Sequence, residues 1–88
     1  MIIQDTLPTL NRLYRMPLVK QATGESDSTI YRKIQKQLFT SPVKIGGRKV
    51  AWPANEIQAL INARIAGKTE DEIKKLVQEL ELKRSVAC

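Results

Sequence analysis

Histidine is missing from the 88-residue chain, and cysteine occurs once, as the terminal Cys88. An intrachain disulfide and a Cys/His metal site are therefore both excluded. A Ser or Thr nucleophile would have no imidazole base, no motif supports a lysine-based alternative, and the carboxylates are scattered, so no enzyme is expected. No cofactor and no small-molecule substrate are expected either. Aromatic residues are few (one Phe, one Trp and two Tyr). No apolar run approaches the roughly 20 residues of a membrane-spanning helix. The first residues, Met1-Ile2-Ile3-Gln4-Asp5, carry no basic segment followed by a long apolar one, so secretion is not expected and the cytoplasm is the default compartment. What is present, 42% hydrophobic and 27% charged residues, fits one small globular domain rather than a disordered chain.

The net charge of +6 is concentrated. Residues 12–52 hold nine basic side chains against two acidic ones, whereas residues 53–88 hold six of each. Such an asymmetry points to a polyanionic partner, with double-stranded DNA first and RNA or an anionic membrane behind it. A well-solvated basic surface is the simpler alternative.

Residues 1–12 are weakly patterned: Leu7, Leu10 and Leu13 recur every three, but Pro8 interrupts a helix there. Arg12 to Arg15 reads as a short strand or an extended lead-in. Pro17 suits the first turn of a helix, with Leu18, Val19 and Ala22 as its apolar face, ending at Thr23 before a left-handed Gly24. Ser26 caps the next helix, its hydroxyl accepting from the amide of Ser28 or Thr29, and Asp27 favours the positive end of the helix dipole. This helix is predicted to run to about Gln37 and to bury Ile30, Ile34 and Leu38. Its other face shows Ser28, Thr29, Arg32, Lys33 and Lys36, with Tyr31 at the border.

Val43-Lys44-Ile45 and Val50-Ala51-Trp52 flank Gly46-Gly47-Arg48-Lys49, the pattern of a β-hairpin ending at Pro53. A further helix is predicted over Asn55–Ala66 with Ile57, Leu60, Ile61 and Ile65 inward, closed by Gly67. Thr69-Glu70-Asp71-Glu72 forms a capping box for a last helix with an Ile73, Leu76, Val77 and Leu80 stripe. That stripe either covers the core or pairs with a second copy; it holds too few heptads for a strong coiled coil.

Two short helices around Gly24-Glu25-Ser26 make a helix-turn-helix, whose second helix presents polar side chains to base edges. Ser28, Thr29 and Arg32 have the chemistry for base contacts, while Tyr31, Lys33 and Lys36 suit the phosphate backbone. The hairpin adds a wing, with Lys44, Gly46, Gly47, Arg48 and Lys49 as candidate contacts to the minor groove. A phosphate-binding loop is excluded at this glycine pair, because the remaining glycines and the Lys-Ser/Thr helix opening are absent. Trp52 is read as core. The expected class is mainly α with a small β-hairpin wing. It divides into a lead-in over residues 1–12, a winged helix-turn-helix over 13–67 and a C-terminal helical extension over 68–88.

Several blocks in this order are those of a known family: Arg15-Met16-Pro17-Leu18-Val19, Thr23-Gly24, Ser28-Thr29-Ile30-Tyr31-Arg32, Pro42-Val43-Lys44-Ile45-Gly46-Gly47-Arg48, and Val50-Ala51-Trp52 before Glu56-Ile57. From Leu13 to Ile61 the chain resembles the AlpA family of prophage-type regulators, small winged-helix relatives of the MerR and excisionase DNA-binding domains. The resemblance implies a transcriptional regulator, an excisionase-like recombination directionality factor, or both, acting on integrase genes or attachment sites of mobile elements. It implies that Ser28, Thr29, Tyr31 and Arg32 belong to the recognition helix and Arg48 to the wing. Self-association, cooperative binding on DNA and contact with an integrase stay open. Three positions depart from the family pattern: Glu25 stands where the turn usually has an apolar residue, Gln37 where a glycine often ends the recognition helix, and Thr40 where a proline commonly follows the Phe. The alternative outside this class is a protein-binding adaptor that uses the basic face and the last helix.

Overall fold

A computed structural model describes residues 12–86. The lead-in before Arg12 and the terminal Cys88 lie outside the described residues. The elements are β1 (Leu13–Tyr14), α1 (Met16–Thr23), α2 (Asp27–Gln35), β2 (Val43–Gly46), β3 (Lys49–Pro53), α3 (Ala54–Ile65) and α4 (Glu70–Val86). Four helices and a small antiparallel sheet in the order β1-β3-β2 give the mainly helical, hairpin-bearing architecture of a winged helix-turn-helix. No described helix is long and apolar enough to cross a membrane.

The sheet joins the two ends of this unit. Leu13 and Tyr14 pair with Pro53 and Trp52, and the amide of Ala54 donates to the carbonyl of Arg12 at 2.6 Å. The strand that precedes the helix-turn-helix is thus bonded to the strand that carries the wing. Beneath it, Val19 of α1, Ile30 of α2, Trp52 of β3 and Ile57 of α3 share one core with Leu38, Phe39 and Leu60. Trp52 has no exposed surface; its ring meets Phe39 edge-on at 6.2 Å, and its indole N–H donates to the Thr40 carbonyl at 2.9 Å. The polar edge of a buried indole needs such a partner. Ile73, Val77 and Leu80 of α4 complete the same core, with Leu76 half-buried beside them, so the stripe is spent within the chain.

The helix ends depart from the sequence expectations in two places. α2 stops at Gln35 rather than near Gln37, because Gln37 takes a left-handed conformation (φ 64°). The amide of Leu38 then donates to the carbonyl of Lys33 at 2.8 Å and that of Gln37 to Ile34 at 3.0 Å, the paired bonds of a Schellman ending. Leu38 is buried as expected, but from beyond the helix. α3 ends the same way, Lys68 to Ala63 and Gly67 to Arg64, with glycine at the left-handed position. In α3 the prediction of an inward Ile65 fails: Ile65 is 79% exposed. The buried stripe runs through Glu56, Ile57, Leu60 and Ala63, and a residue two places after Ala63 lies about 200° around the helix from it.

Candidate nucleic-acid interface

The helix-turn-helix is built from local signals. Pro17 occupies the first turn of α1, and Gly24, with φ 73°, reverses the chain while its amide closes on the Lys20 carbonyl. The Ser26 hydroxyl accepts from the amide of Thr29 at 3.3 Å, one of the two partners expected from sequence. Asp27, in the first turn of α2, pairs with Lys20 of α1 at 2.6 Å. The hydrogen bond from Lys20 is the main reason its carboxyl is held below the usual range. Glu25, in the turn, pairs with Lys33 of α2. Two ion pairs therefore bridge the turn, and the charged residue at the family's apolar turn position has a cationic partner.

These pairs sort the cations of α2. Ser28, Tyr31, Arg32 and Lys36 are exposed and Thr29 half-exposed. Lys33, expected to be a phosphate contact, is half-buried and pairs with Glu25, in a groove of about 350 Å³ that Leu38, Phe39 and Leu60 also line. Arg32 and Lys36 enter no ion pair among the described residues.

The hairpin presents the second group. Lys44, Gly46, Gly47, Arg48 and Lys49 are all exposed, and none of its three cations has an ion-pair partner among the described residues. Gly46 (φ 143°) and Gly47 (φ 53°) hold conformations that L side chains rarely adopt. A Cβ at either would meet nothing within 4 Å, so backbone torsion rather than crowding requires glycine here. Both groups stand on one core, since Ile30 of α2 and Trp52 of β3 pack in the same cluster.

One residue pair that fixes this geometry escaped the sequence reading. Glu56, in the first turn of α3, is 2% exposed and accepts two hydrogen bonds from Arg84 of α4, at 2.7 Å from Nε and 2.6 Å from Nη2. Those bonds are the main reason the Arg84 guanidinium is held above its usual pKa. Arg84 also donates to the Ser41 carbonyl at 2.6 Å, and Glu81 accepts from the Ser41 amide at 2.8 Å. The last turns of α4 thus grip both the start of α3 and the connector that leads into β2. The signal available was Glu56 on the inward stripe of α3, but its partner lies 28 residues away.

The family described as "Prophage CP4-57 regulatory protein (AlpA)" matches residues 12–65, more than half of the chain. This chain belongs to the AlpA family. Over 60 residues it is also 43% identical to "Uncharacterized protein ORF88" of Enterobacteria phage P4, covering 68% of each chain. No solved structure matches it. The span matched by the AlpA family begins in the extended segment before α1 and ends with α3, so it takes in the helix-turn-helix and the wing and stops short of α4. The three departures from the AlpA pattern have distinct physical outcomes. Glu25 is charge-paired, and Gln37 adopts the left-handed conformation that a glycine would take freely. Thr40 is fully buried, with a hydroxyl that finds no hydrogen-bond partner among the described residues.

Proposed function

We propose that this AlpA-family protein is a sequence-specific DNA-binding regulator of a prophage or mobile element. Residues 13–67 are the binding unit and α4 is its support. The observation that carries the reading is the pair of exposed, unpaired cationic groups, Arg32 and Lys36 on α2 and Lys44, Arg48 and Lys49 on the hairpin, raised on one core. Free cations matter because each phosphate neutralised releases condensed counterions, which supplies affinity and makes it salt-dependent. Ser28, Thr29 and Arg32 sit in the first two turns of α2, the part of a recognition helix that meets base edges; Tyr31 lies beside them. Arg32 is suited to a bidentate contact with guanine, and Lys36 to phosphate. Lys33 stays with Glu25 and contributes little.

The targets that fit such a regulator are an integrase promoter, where it controls transcription, and an attachment site, where it sets the direction of recombination. A genome-wide footprint of the tagged protein separates them: peaks at the promoter favour the first and peaks at element boundaries the second. In vitro, Arg48→Ala is expected to weaken binding to all duplexes and to lower the salt slope by about one. Arg32→Ala is expected to cost roughly 1–3 kcal/mol and relax preference at one base pair. Equal, weak affinity for every duplex, unaffected by Arg32→Ala, would overturn the reading.

A further inference from the structure

The wing contains an exposed apolar side chain, Ile45, that lies outside the core cluster. β2 and β3 pair regularly at Val43–Ala51 and Lys44–Val50, but the next pair is Gly46–Lys49. β2 advances two residues where β3 advances one, so Ile45 is the extra residue of a β-bulge. A regular ladder would set Ile45 opposite Lys49, on the face that carries Val43 and the fully buried Ala51. With the bulge it stands 41% exposed, while Val43 and Val50 are partly covered. Lys44, Arg48 and Lys49 surround it in the hairpin, all exposed.

We infer that Ile45 is a wedge: on binding it enters the DNA minor groove between two base pairs and bends the duplex. This deepens the DNA-binding reading and rests on it. The chemistry of the finger is that of its site. Three cations suit the two phosphate walls of the groove, and an apolar centre suits the sugar and base-step surface between them. A groove about 6 Å wide admits one such side chain. Ile is β-branched and stiff at χ1, so little rotamer freedom is lost when it inserts. The cost of unstacking falls on the DNA and is least at flexible pyrimidine–purine steps, which makes the wedge a source of sequence preference without hydrogen bonds. An acidic protein surface would match the cations but leave the apolar centre without a slot.

The test uses the full chain and duplexes of about 30 base pairs enriched by it from a random-sequence pool, labelled with dyes at both ends. Wild type is expected to raise end-to-end energy transfer and to make a thymine at one TA or CA/TG step reactive to permanganate. Ile45→Ala should lose both signals and about tenfold in affinity, with the salt slope unchanged. Ile45→Leu should keep the bend. Because Ile45 is exposed outside the core, an unchanged melting curve will verify that both variants fold. A wild-type complex that is straight, or Ile45→Ala complexes as bent and as tight as wild type, would overturn the wedge and leave the DNA-binding reading standing. A pool from which wild type enriches no duplex would overturn both.

Discussion

The ion pair that crosses the helix-turn-helix and the ion pair that joins α3 to α4 are built from the same chemistry in different surroundings. Lys20–Asp27, which crosses the helix-turn-helix, has side chains 43% and 55% exposed. Exposed pairs of this kind contribute little, because water and salt screen them. Glu56–Arg84 joins a carboxylate that is 2% exposed to a guanidinium that is 25% exposed, through two short parallel bonds. Its net contribution against an apolar pair is small, but its loss is costly, since one partner removed leaves a buried charge behind. The first links α1 to α2 from the surface; the second ties α4 to the start of α3 from within.

Removing one member of the buried pair is the most severe way to probe this contrast. Arg84→Leu should cost about 3 kcal/mol and lower the melting temperature by roughly 15 °C, measured by thermal and urea unfolding. Adding Glu56→Leu should recover much of that loss; failure to recover it would mean that the lost Arg84–Ser41 contact, and not the unpaired Glu56 charge, carries the cost. Gln37→Gly sharpens the comparison of the two Schellman endings. It should stabilise the fold by about 1 kcal/mol in urea unfolding, because the left-handed position strains any side chain with a Cβ. Glu25→Gln should alter stability by less than about 0.5 kcal/mol yet raise the salt slope of DNA binding by up to about one, as Lys33 becomes free to reach a phosphate. The smallest effect is expected from acid. Asp27 is held below its ordinary range by Lys20, and Glu72 by the Thr69 amide. Each lowered carboxyl stabilises the fold above its unfolded-state value, and that support fades as pH falls through the folded one. Hydrogen exchange should therefore show the first turns of α2 and α4 loosening on acidification before the Trp52 core does.

Much of this arrangement was legible along the chain because its causes are local. Pro17, Gly24, Ser26, the Gly46-Gly47 turn and the Thr69–Glu72 box act within a few residues of themselves. The Thr69 amide does donate to Glu72 at 2.9 Å and the Glu72 amide to Thr69 at 3.2 Å. The errors fall where a neighbour in space competed with a pattern in sequence. Ile34 and Leu38 fit one helical stripe, yet the left-handed Gln37 between them ended the helix and delivered Leu38 to the core from a turn. Ile65 continued an apolar series, but no described element covers it. The pairing of Lys33 with Glu25 was not foreseen either, because the turn brings the two side chains together.

Composition and periodicity alone set the charge asymmetry, the order of helices and hairpin, and the excluded chemistries, since each depends only on which residues occur and how closely they follow one another. Three outcomes required the folded chain: the half-buried Lys33, the bulge that turns Ile45 outward, and the grip of Arg84 on Glu56 and Ser41. Each is decided by distances between side chains or strands that meet only after the chain has closed on its core, and hydrogen bonds and burial respond to those distances and not to separation in sequence.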